Sequence, residues 1–202
     1  MRRAAMDNEA TLSGIIASEP IFSHCIHETR LYTCEICVKR LSDTVDRIVL
    51  LAPEALCSNL TGEVTVHGQL RGYTRQDADK RRLILMVLVR KVTPGLAAEN
   101  NRIALSGTLV REVGYRKTPM GREIADLMLR VPRPYAGTDY VPCVVWGRCA
   151  RFCTHLQKGA KLQVVGRMQS REYTKLIDGV AHKRTAYELS IGRLTVLAGE
   201  GN

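Results

Sequence analysis

Thr11-Leu12-Ser13-Gly14-Ile15-Ile16 is answered, 93 residues later, by Ala104-Leu105-Ser106-Gly107-Thr108-Leu109, and an aromatic stands eight residues after each glycine, Phe22 in one case and Tyr115 in the other. Further on, Val64-Thr65-Val66-His67-Gly68-Gln69-Leu70 is answered by Leu162-Gln163-Val164-Val165-Gly166-Arg167-Met168 at an offset of 98. A period this long is one whole domain, not a solenoid unit. The 202 residues thus divide into two domains, 1–95 and 99–202. Pro, Gly and polar residues interrupt the pattern between them, around Thr93-Pro94-Gly95-Leu96-Ala97-Ala98-Glu99-Asn100.

Within the second half, apolar alternation and turn signals predict strands at 102–111, 123–131, 140–146, 161–173 and 184–196. Thr118-Pro119-Met120-Gly121 and Asp178-Gly179 supply two of the turns. A short helix is expected between the third and fourth strands, because Cys149, Phe152, Cys153 and Leu156 recur at three- and four-residue intervals, with Gly159 as a stop. The first half repeats the device: Pro53 opens it, Leu56 and Leu60 sit four apart, and Gly62 closes it. The expected fold is all-β: two tandem OB-fold five-stranded barrels, each with a short helix between strands three and four.

Charge narrows the partner class. Thirty Lys and Arg against twenty Asp and Glu give a formal +10, so a polyanion is the default ligand. Residues 1–98 hold 13 basic and 11 acidic side chains, a net +2, while residues 99–202 hold 17 and 9, a net +8. The second half is therefore the better surface for phosphate. Seven cysteines at irregular spacing, with no signal peptide ahead of them, argue against a secreted disulfide framework and for a cytoplasmic chain with reduced thiols. No apolar run is long enough to span a bilayer, so no membrane role is expected.

Strand parity then sorts the second half into an inner and an outer face. Leu162, Val164, Gly166 and Met168 turn inward, leaving Lys161, Arg167, Arg171 and Tyr173 outside. Val141, Cys143 and Val145 likewise oppose Tyr140 and Trp146. An unpaired base offers a π face whatever its identity, and stacking contributes about 1–3 kcal/mol per base while Lys and Arg track the phosphates. Outer rings beside outer cations therefore suit a single-stranded polynucleotide. Trp146, before Gly147, reads equally as a stacking ring or as a cap on the core. The expected contacts extend to Tyr115, Arg116 and Lys117 in the loop between strands one and two, and to Arg130, Arg133 and Tyr135 ahead of the third strand. Lys175, Lys183 and Arg184 join Tyr173 in flanking the hairpin between strands four and five.

At this point residues 101–197 resemble the bacterial single-stranded DNA-binding proteins. The likeness rests on Asn101 to Arg111, on Tyr115-Arg116-Lys117-Thr118-Pro119-Met120-Gly121, on Val144-Val145-Trp146-Gly147, on Leu156-Gln157-Lys158-Gly159 and on Val165 to Tyr173. It implies sequence-tolerant protection of single-stranded DNA in replication, recombination or repair, with base stacking at Tyr140, Trp146, Tyr173 and Tyr135, and RNA left open as a ligand. It also implies four barrels per particle, which a homodimer of this chain would supply. Two departures stand out. The sequence closes on Ala198-Gly199-Glu200-Gly201-Asn202 where such proteins carry an acidic tip that recruits replication enzymes, so recruitment by that route is not expected. In the first half, Arg75 stands near the place of Tyr173 and no tryptophan answers Trp146, so that half is expected to bind weakly or to serve assembly.

Other chemistries are less well served. Cys34-Glu35-Ile36-Cys37 is a C-x-x-C with His24 and His27 upstream, yet strand residues three apart point to opposite faces, so two buried thiols are expected and no metal or cofactor. There is no P-loop, nucleophile elbow or H-E-x-x-H, so no enzyme activity is expected. The alternative is an adaptor of the primosome or recombination type that uses one barrel for protein contacts.

Overall fold

The computed structural model describes residues 8–77, 80–134, 137–177 and 180–197. Barrel 1 comprises β1 (Asn8–Ile16), β2 (Ile21–Ile26), β3 (Thr29–Lys39), β4 (Val45–Pro53), α1 (Glu54–Cys57), β5 (Glu63–Asp77) and β6 (Lys80–Pro94). Barrel 2 repeats it with β7 (Asn101–Leu109), β8 (Gly114–Lys117), β9 (Glu123–Pro132), β10 (Thr138–Trp146), α2 (Gly147–Cys153), β11 (Lys161–Ile177) and β12 (Val180–Val196). Pairings run in a ring, β1–β3–β4–β6–β5–β1 and β7–β9–β10–β12–β11–β7, with the β4–β6 and β10–β12 contacts parallel. Two tandem five-stranded OB barrels result, each with its helix after the third strand of the ring.

Three local departures from the sequence reading have plain causes. Tyr115-Arg116-Lys117 is not a loop but the strand β8, paired with β9, and β2 is its counterpart on β3. All four residues of β8 are exposed, so no apolar alternation marks it. The hairpin of β11 and β12 is also longer than expected. Tyr173 lies opposite Arg184, Thr174 opposite Lys183 and Lys175 opposite His182, so these residues ride on a two-stranded arm instead of flanking a turn. Helix α2 ends at Cys153, leaving Leu156 and Gly159 in the turns that follow it.

The repeated glycines mark close backbone crossings. A Cβ on Gly14 would collide with the carbonyl oxygen of Cys37 where β1 meets β3, and one on Gly166 would strike the Ser190 carbonyl. Beside Gly166 the ladder slips by one residue, and the extra residue, Gly192, belongs to β12. Because the bulge falls on the partner strand, β11 keeps its alternation: Leu162, Val164 and Met168 are buried while Lys161, Arg167, Arg171 and Tyr173 are exposed.

A feature invisible to the repeat itself joins the two halves. β1 pairs antiparallel with β7, with Asn8 opposite Leu105 and Leu12 opposite Asn101, so all twelve strands form one continuous sheet. Under the 93-residue offset these two pairs exchange, which makes the contact a two-fold interface inside one chain. Two buried carboxylates clamp it. Asp139 of β10 accepts from the Gly72 N–H of barrel 1 at 2.9 Å, and from Arg71 and Arg133. Asp46 of β4, 93 residues earlier, accepts from the Ser170 N–H of barrel 2 at 2.7 Å and from Arg40 Nε at 2.7 Å. Arg133, expected from sequence as a ligand contact, is thus engaged inside the protein.

Three thiols belong to the core. Cys34, Cys143 and Cys153 are buried, and burial pushes the Cys34 and Cys153 thiols up to about 11, whereas Cys25 and Cys149 are exposed. Cys37 and Cys34 do not share an environment, since Cys37 is only half-buried. Among the described residues, no group of three His, Cys, Asp or Glu side chains could hold a metal ion. No described helix is long and apolar enough to cross a membrane.

Replacing Asp139 by Ala removes the acceptor of the half-buried Gly72 N–H and of two guanidinium groups, and truncating one partner of such a cluster costs up to about 3–5 kcal/mol. Urea unfolding of Asp139→Ala should show that loss. Asp139→Asn, which keeps an acceptor for Gly72 N–H, should lose distinctly less.

Candidate nucleic-acid interface

β10 sets the two rings of barrel 2 in place. Val141, Cys143 and Val145 point into the core, so Tyr140 and Trp146 must emerge on the other side, where they remain 48% and 42% exposed. The core-cap reading of Trp146 therefore yields to a ring open to solvent. Residues directly opposite in an antiparallel pair share a face, which places Arg130 beside Tyr140 and Arg184 beside Tyr173.

Trp146 opens onto a groove of about 950 Å³. Its floor carries Val144 of β10, Gln169 and Arg171 of β11 and Glu188 of β12, with Arg116 of β8 on one wall. The opposite wall comes from barrel 1: Glu35 of β3, Arg47 of β4 and the turn between those strands. That turn is held there by the Asp46–Ser170 clamp, reinforced by a hydrogen bond of 2.9 Å between Arg47 N–H and Ser170 Oγ.

The groove is more balanced in charge than its sequence suggests. Arg116 is bound through Nε to Asp126 at 2.7 Å, Arg47 approaches Glu35 at 3.4 Å, and Glu172 and Glu188 line the same space. Arg171 lines the groove with no carboxylate within ion-pair distance among the described residues. Tyr115 is 38% exposed, and its hydroxyl donates to Glu123 at 2.7 Å, a bond that holds the phenol above its ordinary range. The barrel 1 contributions escaped sequence reading, since nothing in the chain order places Glu35 and Arg47 opposite Trp146.

The other residues singled out from sequence fall around this centre. Tyr173 stands two residues beyond Arg171 on the same face of β11, outside the residues that line the groove. Lys117 and Lys183 are exposed on β8 and on the arm, and Arg184 is half-buried. Arg167 lies outside the groove in a neighbouring depression. Tyr140 and Arg130 sit at the far end of β10, roughly 20 Å from Trp146 by strand rise. Tyr135 and the Lys175 side chain lie outside the described residues.

Barrel 1 offers a different face at the corresponding place. Leu51 opposite Leu88 matches Val144 opposite Ser190, and Met86 stands where barrel 2 has Glu188. Leu31, Leu51 and Met86 form a small apolar cluster there with Ile84 and Leu88 packed against it. Nearby, Phe22 and Tyr32 meet edge to face at 5.7 Å with the Arg30 guanidinium over both rings.

Ring topology, exposed rings and groove together define a tandem OB-fold protein with an open cleft on its second barrel. Residues 100–197 match the single-strand binding protein family. A single-stranded DNA-binding protein of Halalkalibacterium halodurans is 38% identical over 80 residues, spanning 36% of this chain and 48% of that one. Single-stranded DNA-binding protein 1 of Staphylococcus aureus is also 38% identical over 80 residues with the same shares. The matched segment spans about half the length of these curated relatives. The wild-type single-stranded DNA binding protein of Thermus aquaticus superposes with a TM-score of 0.74 at 18% identity, across 96% of this chain and 95% of that one, a likeness of fold.

Arg171 and Arg116 separate by their partners. Each phosphate contact adds about 0.7 to the slope of log K against log salt for a single strand. Arg171→Ala should lower the slope for an oligonucleotide by about that amount. Arg116→Ala, whose charge Asp126 already offsets, should lower it less in the same titration.

Proposed function

We propose that this protein binds single-stranded DNA without sequence preference and without chemistry on it, shielding it during replication, recombination or repair. The observation that carries the proposal is Trp146, an exposed ring at the mouth of a groove that also holds Arg171. In this reading Trp146 and Tyr173 stack on successive bases while Arg171 meets phosphate, and Tyr140 with Arg130 forms a separate contact farther along β10. A duplex keeps its base faces stacked on one another, so rings of this kind discriminate for single strands. The names of the relatives support the choice of DNA, and parallel titrations with oligo(dT) and oligo(U) measure it.

Adding oligo(dT) should quench Trp146 fluorescence strongly, as this is the sole tryptophan of the chain. Tyr173→Ala and Tyr140→Ala should each weaken binding by about 1–3 kcal/mol, to similar extents on different sequences. Equal affinity for duplex, or no quench on saturation, would sink the reading.

Two parts of the proposal concern assembly and barrel 1. Two copies of the chain would supply four barrels, and light scattering at micromolar concentration should report twice the chain mass. The apolar cluster around Leu51, Met86 and Leu88 favours a second reading in which barrel 1 meets a protein. Met86→Glu, which recreates the acidic residue of barrel 2, would then abolish that contact while leaving the oligo(dT) quench in place.

A further inference from the structure

A second depression, of about 580 Å³, lies beside the Trp146 groove at the seam between the barrels. Its floor is the bulge itself: Val165 and Gly166 of β11 facing Gly192 of β12. Glycine at two of these positions keeps the floor low, and four cations rise around it. Arg167 and Arg193 come from barrel 2, Arg102 from β7 and Lys39 from the end of β3 in barrel 1.

Their charges are available. Lys39 pairs with Asp43 at 2.8 Å, both exposed, and half-buried Arg102 approaches exposed Glu99 at 3.8 Å; solvent-facing pairs of this kind contribute little and are screened by salt. Arg167 and Arg193 are exposed and have no carboxylate within ion-pair distance among the described residues. Arg40 also lines the cleft, but Asp46 neutralises it. Among the described residues no aromatic side chain lines this cleft, so it lacks the ring platform that Trp146 gives the groove. Cations without rings suit the sugar-phosphate backbone.

The cleft and the groove adjoin each other at Arg40. Arg40 lines both, and the outward row of exposed Arg171, half-buried Gln169 and exposed Arg167 on β11 leads from one to the other over roughly 13 Å of strand. We propose that a strand whose bases stack at Trp146 runs along this row and lays its phosphates in the seam cleft, against Arg167, Arg193, Arg102 and Lys39. Barrel 1 then takes part in binding through its edge at the seam, independently of its apolar face. This inference rests on the single-strand reading above and adds to it a second, ring-free subsite for polynucleotide phosphate.

The test compares the full chain with the double variant Arg102→Ala/Arg193→Ala, on oligo(dT) of about 8 nucleotides, sized for one stacking site, and of about 30, long enough to cross both. On the long oligomer the variant should lose about 1.4 from the salt slope, two contacts at about 0.7 each, equivalent to roughly 25-fold in affinity at 0.1 M salt if the curves converge near 1 M. Trp146 quenching at saturation should be unchanged, and the short oligomer should bind both proteins alike. Arg193→Glu should enlarge the loss on the long oligomer alone. An unchanged slope on the long oligomer, with the quench intact, would overturn the inference while leaving the function standing. So would an altered particle mass with an unchanged slope, because it would assign the cleft to contact between copies. Loss of the quench in the parent protein would instead overturn the function itself.

Discussion

The ladder between β1 and β7 is the constraint on which the rest of the molecule depends. Either barrel alone would leave the outer edge of the N-terminal part of its first strand unpaired, a row of N–H and C=O groups that invites uncontrolled association. Pairing the two edges satisfies those groups and merges the barrels into one sheet. The ladder fixes a direction and a register, and Asp46 and Asp139 fix the angle, each reaching across to a backbone N–H of the other barrel. A buried carboxylate needs partners on every side, and here the partners are supplied by both barrels. The clamps thus stabilise only one mutual arrangement.

That arrangement creates the site. The turn between β3 and β4 would be an ordinary exposed connection in an isolated barrel. Anchored at Ser170, it becomes a wall of the Trp146 groove and a border of the seam cleft. Sequence divergence and symmetry then combine: the corresponding surface of barrel 1 carries Met86 and Leu88 where barrel 2 carries Glu188 and Ser190. The scaffold is two-fold while the chemistry on it is one-sided.

Much of this was legible because β-strands repeat every two residues. Inner and outer faces of β10 and β11 follow from parity alone, and the exposure of Tyr140, Trp146, Arg167, Arg171 and Tyr173 agrees with it. Parity held through Gly166 only because the bulge residue is Gly192, on the neighbouring strand. Local pattern failed where contacts were long-range or where no side chain was buried. β8 is exposed throughout and gives no periodic signal. Arg133, between two prolines, has the look of a free loop cation. Its bond to Asp139 is local in sequence, yet its purpose, a clamp that also binds Gly72, exists only once the barrels meet. The carboxylates that temper the groove arrive from β3, β9, β11 and β12, and net charge counted along the chain cannot show that they converge.

Covalent continuity through residues 95–100 changes the statistics of the central ladder. When two identical barrels meet by diffusion, dilution separates them and every substitution appears on both sides at once. Here the second barrel is always present at a high local concentration, so the ladder forms in an intramolecular step whose equilibrium does not depend on how much protein surrounds it. Each half can therefore accumulate its own substitutions without ever facing a partner that carries the same change.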